Sequence, residues 1–116
     1  MKINVSEHSI QVSILAFLEL RGRRDIYWFA VPNAGKRSLR VGRLMKKEGL
    51  RSGVADLCFM FPGGITRWME SKTITGRQTD EQENFQEICV KLGHDYALVR
   101  SLDAAIAVLT QWRALR

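Results

Sequence analysis

Residues 53 to 72 read GVADLCFMFPGGITRWMESK, and this stretch decides the fold. Its first half contains an unbroken apolar run of strand-forming residues directly after Asp56, and its second half has the composition of another strand. The sequence Pro62-Gly63-Gly64 between them is typical of a tight turn. The stretch therefore predicts an antiparallel hairpin in which Asp56 lies opposite Glu70 or Ser71.

The predicted hairpin brings two carboxylates and an amino group together at its open end. Because side chains alternate along a strand, Glu70 and Lys72 share one face and Ser71 points to the other. Hard divalent cations prefer carboxylate and carbonyl oxygens, and a neighbouring lysine can hold or deprotonate an attacking water. The structural alternative is that Asp56 is a turn residue and that Glu-x-Lys lies on a solvated face. The apolar run beside Asp56 favours a site, since such a strand is interior and its end is held rigidly.

Positive charge is concentrated in one segment of the chain. The 116 residues carry a net charge of +6, and residues 36 to 51 hold seven basic residues against one acid, Glu48. A localised basic stripe on an otherwise neutral domain is typical of a protein with a polyanion partner, and the alternative is a solvated helix face. The predicted nucleic-acid contacts in this segment are Lys36, Arg37, Arg40, Arg43, Lys46, Lys47 and Arg51.

Length and composition predict one globular domain over residues 1 to 116. No apolar stretch approaches the roughly 20 residues needed to cross a bilayer, and the first residues lack a secretory-signal pattern. Cys58 and Cys89 both fall at predicted core positions, and the two histidines stand at no zinc-like spacing from them. A disulfide framework and a structural zinc site are therefore disfavoured, and the protein is expected to be intracellular and reduced.

Hydrophobic periodicity and turn residues predict four helices and four strands. The predicted helices are residues 4 to 21, 36 to 48, 79 to 92 and a last helix capped by Ser101; the predicted strands are residues 25 to 31, 57 to 61, 65 to 72 and 96 to 99. This order predicts an α/β fold, a mixed sheet with helices on both faces.

The ordered motifs resemble those of the PD-(D/E)xK nuclease superfamily and, within it, the VRR-NUC domain. They are Glu7, Pro32-Asn33-Ala34-Gly35-Lys36-Arg37, Gly49 with Gly53-Val54-Ala55-Asp56, Glu70-Ser71-Lys72-Thr73, Gly76-Arg77 with Gln82, and Gly93 with Val99-Arg100-Ser101. Ala55 departs from the usual proline and Ser71 from the usual apolar residue. The resemblance implies a restriction-endonuclease-like αβββαβ core with the basic helix inserted after the first strand.

The resemblance also implies an activity, metal-dependent DNA endonuclease cleavage that leaves a 5′ phosphate. The implied ligands of Mg²⁺ or Mn²⁺ are Glu7, Asp56, Glu70 and the main-chain carbonyl of Ser71. The implied catalytic residues are Asp56, Glu70, Lys72 and Gln82. Outside the basic helix, Asn33 and Arg77 are further predicted DNA contacts, although a turn asparagine is more often structural.

Two of these residues have a structural alternative. Glu7 could complete a capping box with Asn4 as the N-cap, and Gln82 could complete one with Thr79. For Gln82 the capping role and the role implied by the resemblance, a hydrogen bond near the lysine or the phosphate, are compatible with each other.

The resemblance finally implies a homodimer that cuts branched DNA such as a four-way junction. Trp112 and Leu115 in or beside the last helix are candidate interface residues, and a core role is the alternative for Trp112. Two other functions stay open. One is a nucleic-acid-binding module without chemistry, which the intact carboxylates and lysine disfavour. The other is cleavage of RNA, for which the sequence shows no aromatic single-strand reader.

Overall fold

The computed structural model describes residues 5–32 and 39–116, which form four helices and four strands. In chain order these are α1 (Glu7–Arg21), β1 (Tyr27–Ala30), α2 (Leu39–Lys47), β2 (Leu57–Phe61), β3 (Ile65–Ser71), α3 (Asp80–Leu92), β4 (Asp95–Val99) and α4 (Leu102–Gln111). The predictions for Asn4, Asn33, Lys36 and Arg37 lie outside the described residues, and so does the predicted contact by the Arg40 side chain.

The four strands form one mixed sheet in the order β1-β2-β3-β4. β1 with β2 and β2 with β3 are antiparallel, whereas β3 and β4 are parallel. Phe61 pairs with Ile65, so the β2–β3 connection is the predicted turn. Both Gly63 and Gly64 have positive φ, at 87° and 76°, a backbone region that glycine enters without strain. The predicted hairpin and the mixed sheet are confirmed.

The main core lies between one face of the sheet and the pair α1 and α4. Ile10, Ile14 and Leu18 recur at helical spacing along α1 and are buried. From α4, Ala105 and Leu109 are fully buried in the same cluster. These helices place the first turn of α1 near the end of β3, where the site forms.

Trp112 and Leu115 pack against this same core. The ring of Trp112 meets the buried ring of Phe59 edge to face, with centroids 5.5 Å apart. The core role considered for Trp112 is therefore confirmed.

The opposite face of the sheet is covered by α3. Phe85 packs edge-on against Trp68 at 5.1 Å, and the neighbouring Cys89 is buried. The prediction that Ile88 and Leu92 join this apolar face is wrong, because their side chains are 43% and 66% exposed. α3 packs along β4, and it reaches β3 through the contact of Phe85 with Trp68, so only a narrow stripe of the helix is covered.

The basic helix α2 stands apart from the rest of the fold. Among the described residues, α2 packs against no other helix or strand. Leu44, predicted as an apolar contact, is 53% exposed, so that prediction is wrong. Gly49 ends the helix as predicted: it has φ 101°, and the next amide, of Leu50, donates to the Met45 carbonyl at 2.9 Å.

Two further observations bear on the composition of the chain. Cys58 and Cys89 are both buried free thiols, in agreement with the predicted core positions. Across the described ranges, none of the helices has the length and apolarity that a membrane span requires.

Candidate active site

Asp56 lies at the open end of the hairpin, where the chain on either side holds it. The register of β2 on β3 brings Asp56 beside Glu70. Its Oδ2 atom accepts a hydrogen bond from the backbone N–H of Ser71 at 2.9 Å. Its main-chain carbonyl accepts from the backbone N–H of Val31, just after β1, at 2.8 Å. The carboxylate is thus fixed against β3, as the hairpin predicts.

Glu70 is the most deeply buried ionisable group of the site. The residue is only 1% exposed to solvent. One oxygen, Oε2, accepts a hydrogen bond from Nε2 of Gln82 at 3.3 Å, while the other, Oε1, is buried and has no hydrogen-bond partner among the described residues. Burial, reinforced by the charges of Asp56 and Glu7, raises the pKa of Glu70 to about 8. A carboxyl group in this state calls for a cation or a proton.

The pKa of Asp56 is also raised, and burial is the main cause. The negative charge of Glu7 adds to the increase, whereas the Ser71 N–H and the Lys72 ammonium group oppose it. Two adjacent carboxyl groups that both resist ionisation form a place where positive charge is favoured. The strand register therefore brings the two carboxyl groups together and makes positive charge favourable beside them.

Lys72 supplies part of the positive charge that these carboxyl groups favour. It is 6% exposed, and its backbone N–H donates to the Val99 carbonyl at 2.9 Å, which anchors it beside β4. Its Nζ atom lies 3.3 Å from Oε1 of Glu7, whose side chain is 49% exposed. The ammonium group is thus held between the buried carboxylates and the first turn of α1.

The structural alternative considered for Glu7, a place in a capping box, is wrong. Ser6 is the N-cap of α1, and it forms a reciprocal capping box with Ser9: each residue's backbone N–H donates to the other's side-chain oxygen, at 3.0 and 3.1 Å. Glu7 is the first residue of the helix, so its side chain makes no capping bond and is available to Lys72. A carboxylate in the first turn is also favoured by the helix dipole.

Gln82 completes the predicted capping box with Thr79 and also contacts Glu70. The backbone N–H of Thr79 donates to Oε1 of Gln82 at 2.9 Å, and the backbone N–H of Gln82 donates to Oγ1 of Thr79 at 3.2 Å. The remaining amide nitrogen of Gln82 donates to Glu70. The Gln82 side chain therefore caps the N-terminus of α3 and also orients the buried Glu70 carboxylate. It can do both because an amide group accepts and donates hydrogen bonds.

Gly53 connects this helix end to the hairpin. It has φ 82°, and a Cβ atom built on it would lie 2.3 Å from the Glu81 carbonyl oxygen. Any other residue would be strained and would push α3 away. The glycine thus sets the distance between the strand that follows Asp56 and the helix that carries Gln82.

Two solved structures match the chain over nearly its whole length. One, described as a VRR_NUC domain protein, has a TM-score of 0.77 and 18% identity, and the match covers 96% of this chain and 90% of that one. Another, described as a VRR_NUC domain, has a TM-score of 0.62 and 18% identity, with 93% and 97% covered. The chain has the VRR-NUC fold. No family model matches the sequence, and no curated protein does.

The mixed four-stranded sheet with its flanking helices matches this fold. The VRR-NUC fold is a nuclease-like fold, as the resemblance of the motifs implies. At 18% identity the match establishes the fold, and the chemistry has to be argued from the residues of this chain.

The residues at the open end of the hairpin fit a hard divalent cation. Glu70 presents a buried oxygen without a partner, next to the Asp56 carboxylate. Across residues 5–32 and 39–116, no three Asp, Glu, His or Cys side chains are close enough to form a complete cage. A Mg²⁺ ion is commonly held by one or two carboxylates, with carbonyl, water and substrate oxygens as the remaining ligands. Asp56, Glu70 and the main-chain carbonyl of Ser71 offer that donor set.

Exposed basic side chains lie near the start of α3. Arg43, Lys46, Lys47 and Arg51 are all exposed, as a predicted DNA surface requires. Lys46 and Arg51 line a cleft of about 490 Å³ together with Glu81 and Asn84 of α3. The described end of α2 and the loop after it are thus on the α3 side of the sheet.

Arg100 has a role that the sequence analysis missed. Its Nη1 atom donates to the carbonyls of Thr73, Gly76 and Ile74 at 2.6, 2.7 and 3.3 Å. The loop that follows Lys72 is therefore fastened to the end of β4, and Arg77 extends from this loop as an exposed residue. The sequence signal that could have indicated this role is an arginine directly after an apolar strand.

Proposed function

We propose that the chain is a metal-dependent endonuclease that hydrolyses phosphodiester bonds in DNA. The observation that carries the proposal is the buried Glu70, whose Oε1 atom has no hydrogen-bond partner in the described part of the chain although the Asp56 carboxylate lies beside it. A buried carboxylate next to a half-buried one destabilises a protein unless a cation compensates their charge, so the presence of Glu70 beside Asp56 calls for a function. A nucleic-acid-binding module without chemistry has no use for negative charge where phosphate must lie.

Asp56, Glu70 and the Ser71 carbonyl would hold Mg²⁺ or Mn²⁺. When bound, the cation would neutralise charge developing on the phosphate and make a water more acidic. Gln82 fixes the orientation of Glu70 through its 3.3 Å hydrogen bond. Ser71 fixes that of Asp56 through its backbone N–H.

Lys72 would donate a hydrogen bond to the attacking water and balance negative charge in the transition state. Its depth of burial limits competing contacts with solvent. The contact of Glu7 with Nζ of Lys72 supports a positioning role for Glu7 better than the metal ligation implied by the resemblance. The proton released from the water would leave through the Glu7 side of the site, where the carboxylate is half exposed.

The exposed basic residues after β1 would hold the DNA backbone. Lys46 and Arg51 adjoin the helix that carries Gln82, so a duplex or strand bound there lies on the side of the sheet that bears the carboxylates. Contacts of this kind neutralise phosphates and are independent of base sequence. Sequence-independent binding fits a structure-selective enzyme.

The working form would be a homodimer that cuts four-way junctions in preference to linear duplex. One domain of 13.3 kDa has a single site, and coordinated cleavage of two strands needs two sites. Because Trp112 and Leu115 pack on their own core, the interface would use other surface as well. Light scattering measures the mass directly, and a persistent monomer that cuts both substrates equally would remove this part of the proposal.

The activity is tested by incubating the purified protein with a four-way junction, a linear duplex and an RNA, each with Mg²⁺, Mn²⁺ or EDTA. Cleavage of DNA that requires the cation and is absent in Glu70→Gln supports the proposal. Cleavage that persists in EDTA contradicts the metal assignment. Binding without cleavage under every condition would identify a non-catalytic module, and preference for RNA would change the substrate class.

A further inference from the structure

Within residues 5–32 and 39–116, no helix covers one half of a sheet face. On the face that bears α3, the helix covers the β3–β4 half, while Tyr27, Phe29 and Met60 on the β1–β2 half are 66%, 38% and 50% exposed. We call these three residues the β1–β2 aromatic face. Exposed contiguous apolar surface of this kind usually marks a binding site.

The β1–β2 aromatic face is on the same side of the sheet as the carboxylates. Phe29 pairs with Cys58, and Cys58 pairs with Trp68, so these side chains form one row across the sheet. Asp56 precedes Cys58 by two residues and Glu70 follows Trp68 by two. Because side chains return to the same face every second residue, the carboxylates form the next row, about 7 Å further along.

The two rings are arranged to receive flat ligands. The centroids of Tyr27 and Phe29 are 5.9 Å apart and their planes are tilted by 43°, so neither ring covers the face of the other. Aromatic side chains exposed on a sheet are stacking surfaces for nucleic-acid bases, and every base offers a π-face. Stacking requires bases that are unpaired or displaced from their neighbours.

Charge around the face favours a polyanion. The cleft lined by Lys46 and Arg51 adjoins α3 on this side of the sheet, and Arg43 and Lys47 on the same short helix are exposed. A second copy of this chain docked symmetrically on the face would bring two sets of these cations toward each other, which is unfavourable. A nucleic-acid strand satisfies both the rings and the positive charge.

We propose that the β1–β2 aromatic face stacks the bases of unpaired nucleotides next to the phosphodiester bond that is cut. The inference rests on the nuclease function proposed above and specifies its substrate class: DNA that is single-stranded, or opened by a branch, on one side of the scissile bond. Phosphates of that segment would reach the cations near α2, and the duplex would continue beyond the carboxylates.

The test measures binding without hydrolysis, so its result does not depend on activity. Fluorescence anisotropy in EDTA compares a labelled oligothymidylate with a labelled duplex of the same length. Tyr27→Ala combined with Phe29→Ala should weaken binding of the oligothymidylate by roughly ten-fold or more, since a stacked base contributes about 1–3 kcal/mol per ring. Binding of the duplex should change much less.

Two control proteins accompany the double variant. Tyr27→Phe combined with Phe29→Tyr keeps both rings and should bind as the unchanged chain does. Val90→Ala combined with Leu92→Ala removes exposed apolar surface of α3 (69% and 66% exposed) outside the proposed face, and it should also have no effect. Thermal melts monitored by circular dichroism verify that every variant is folded.

Three outcomes would overturn the inference. One is an unchanged affinity for the oligothymidylate in the double alanine variant. Another is an equal loss for single strand and duplex, which would make the effect general. The third is a dimer that becomes a monomer in the variant with unaltered oligothymidylate affinity, which would make the face an interface between copies. If the chain bound the oligothymidylate through these rings yet cut nothing, the proposed nuclease function alone would fail.

Discussion

Nζ of Lys72 lies 3.3 Å from Oε1 of Glu7, and this contact joins the end of β3 to the first turn of α1. The ion pair connects Lys72 to helix α1. The N-terminus of this helix is capped by Ser6 and Ser9, without Glu7. The Glu7 carboxylate is therefore available to position Lys72, because no capping bond occupies it. It holds the ammonium group near the carboxyl groups of Asp56 and Glu70, and the positive charge of Lys72 opposes the rise in the pKa of both that burial causes.

Glu7→Gln should lower the cleavage rate without a matching loss of stability. The neutral amide keeps an acceptor oxygen but loses the charge that attracts the ammonium group, so Lys72 is held less firmly, and a misplacement of about 1 Å costs up to about 100-fold in rate. The measurement is kcat together with urea denaturation, with Glu19→Gln at an exposed position of α1 as the control. Loss of stability with unchanged kcat per folded molecule would contradict the positioning role.

Asp56→Asn and Glu70→Gln should each reduce cleavage by roughly a thousand-fold or more while DNA binding stays equal or becomes tighter. Each variant removes a negative charge and a cation ligand, and less negative charge eases the approach of phosphate. Cleavage assays and anisotropy titrations measure the two effects, and Glu87→Gln on the exposed side of α3 is the control. Cleavage retained by both variants would exclude the proposed cation site.

The free energy of unfolding in EDTA should fall as pH rises from about 4.5 to about 8. The folded-state pKa of Glu70 is raised from 4.5 to about 8, so the folded chain holds a proton that the unfolded chain has released. The stabilisation is complete below the unfolded pKa and is lost as pH rises through the folded one. The shift of the Asp56 pKa has the same direction.

Denaturant titrations over this pH range measure the slope, and Glu70→Gln should remove much of it. Added Mg²⁺ should stabilise the chain most at the alkaline end, where the carboxylates are ionised. A slope that is unchanged in Glu70→Gln would mean that other groups dominate the titration.

The hairpin and most helix ends could be predicted from sequence because they depend on neighbouring residues. Pro62-Gly63-Gly64 forms the turn, and Thr79 and Ser101 cap α3 and α4 as predicted. The juxtaposition of Asp56 and Glu70 also followed from strand register, since one hairpin fixes which residues face each other.

Features that depend on how distant elements pack could not be predicted in the same way. The exposure of Ile88 and Leu92 follows from which half of the sheet α3 covers, and periodicity along the helix does not contain that information. The pairing of Glu7 with Lys72 spans most of the chain. Local pattern left a cap starting at Asn4 open as an alternative, because both Asn4 and Ser6 are good N-cap residues and sequence alone does not choose between them.

Thr79→Ala and Gln82→Ala should separate the two functions of the capping box at α3. Both variants lose a capping bond and should unfold more easily, by about 1 kcal/mol. Only Gln82→Ala also removes the donor to Oε2 of Glu70, so only this variant should show a marked loss of kcat. Urea denaturation and cleavage kinetics on the same preparations give both quantities. Equal kcat in the two variants would mean that the contact with Glu70 is structural.

Lys46→Ala combined with Arg51→Ala should weaken DNA binding at low salt and flatten its dependence on salt. The two side chains line the cleft beside α3, and each phosphate contact that is lost reduces the slope of log K against log salt by roughly 0.9 for duplex DNA. The slope should therefore fall by about two, while the affinity for Mg²⁺, measured by calorimetry, stays the same. Lys91→Ala, at an exposed cation in the last turn of α3, is the matched control and should keep the slope. A slope that is unaltered in the double variant would show that these cations are merely solvated, and the path of the DNA would then have to avoid the cleft.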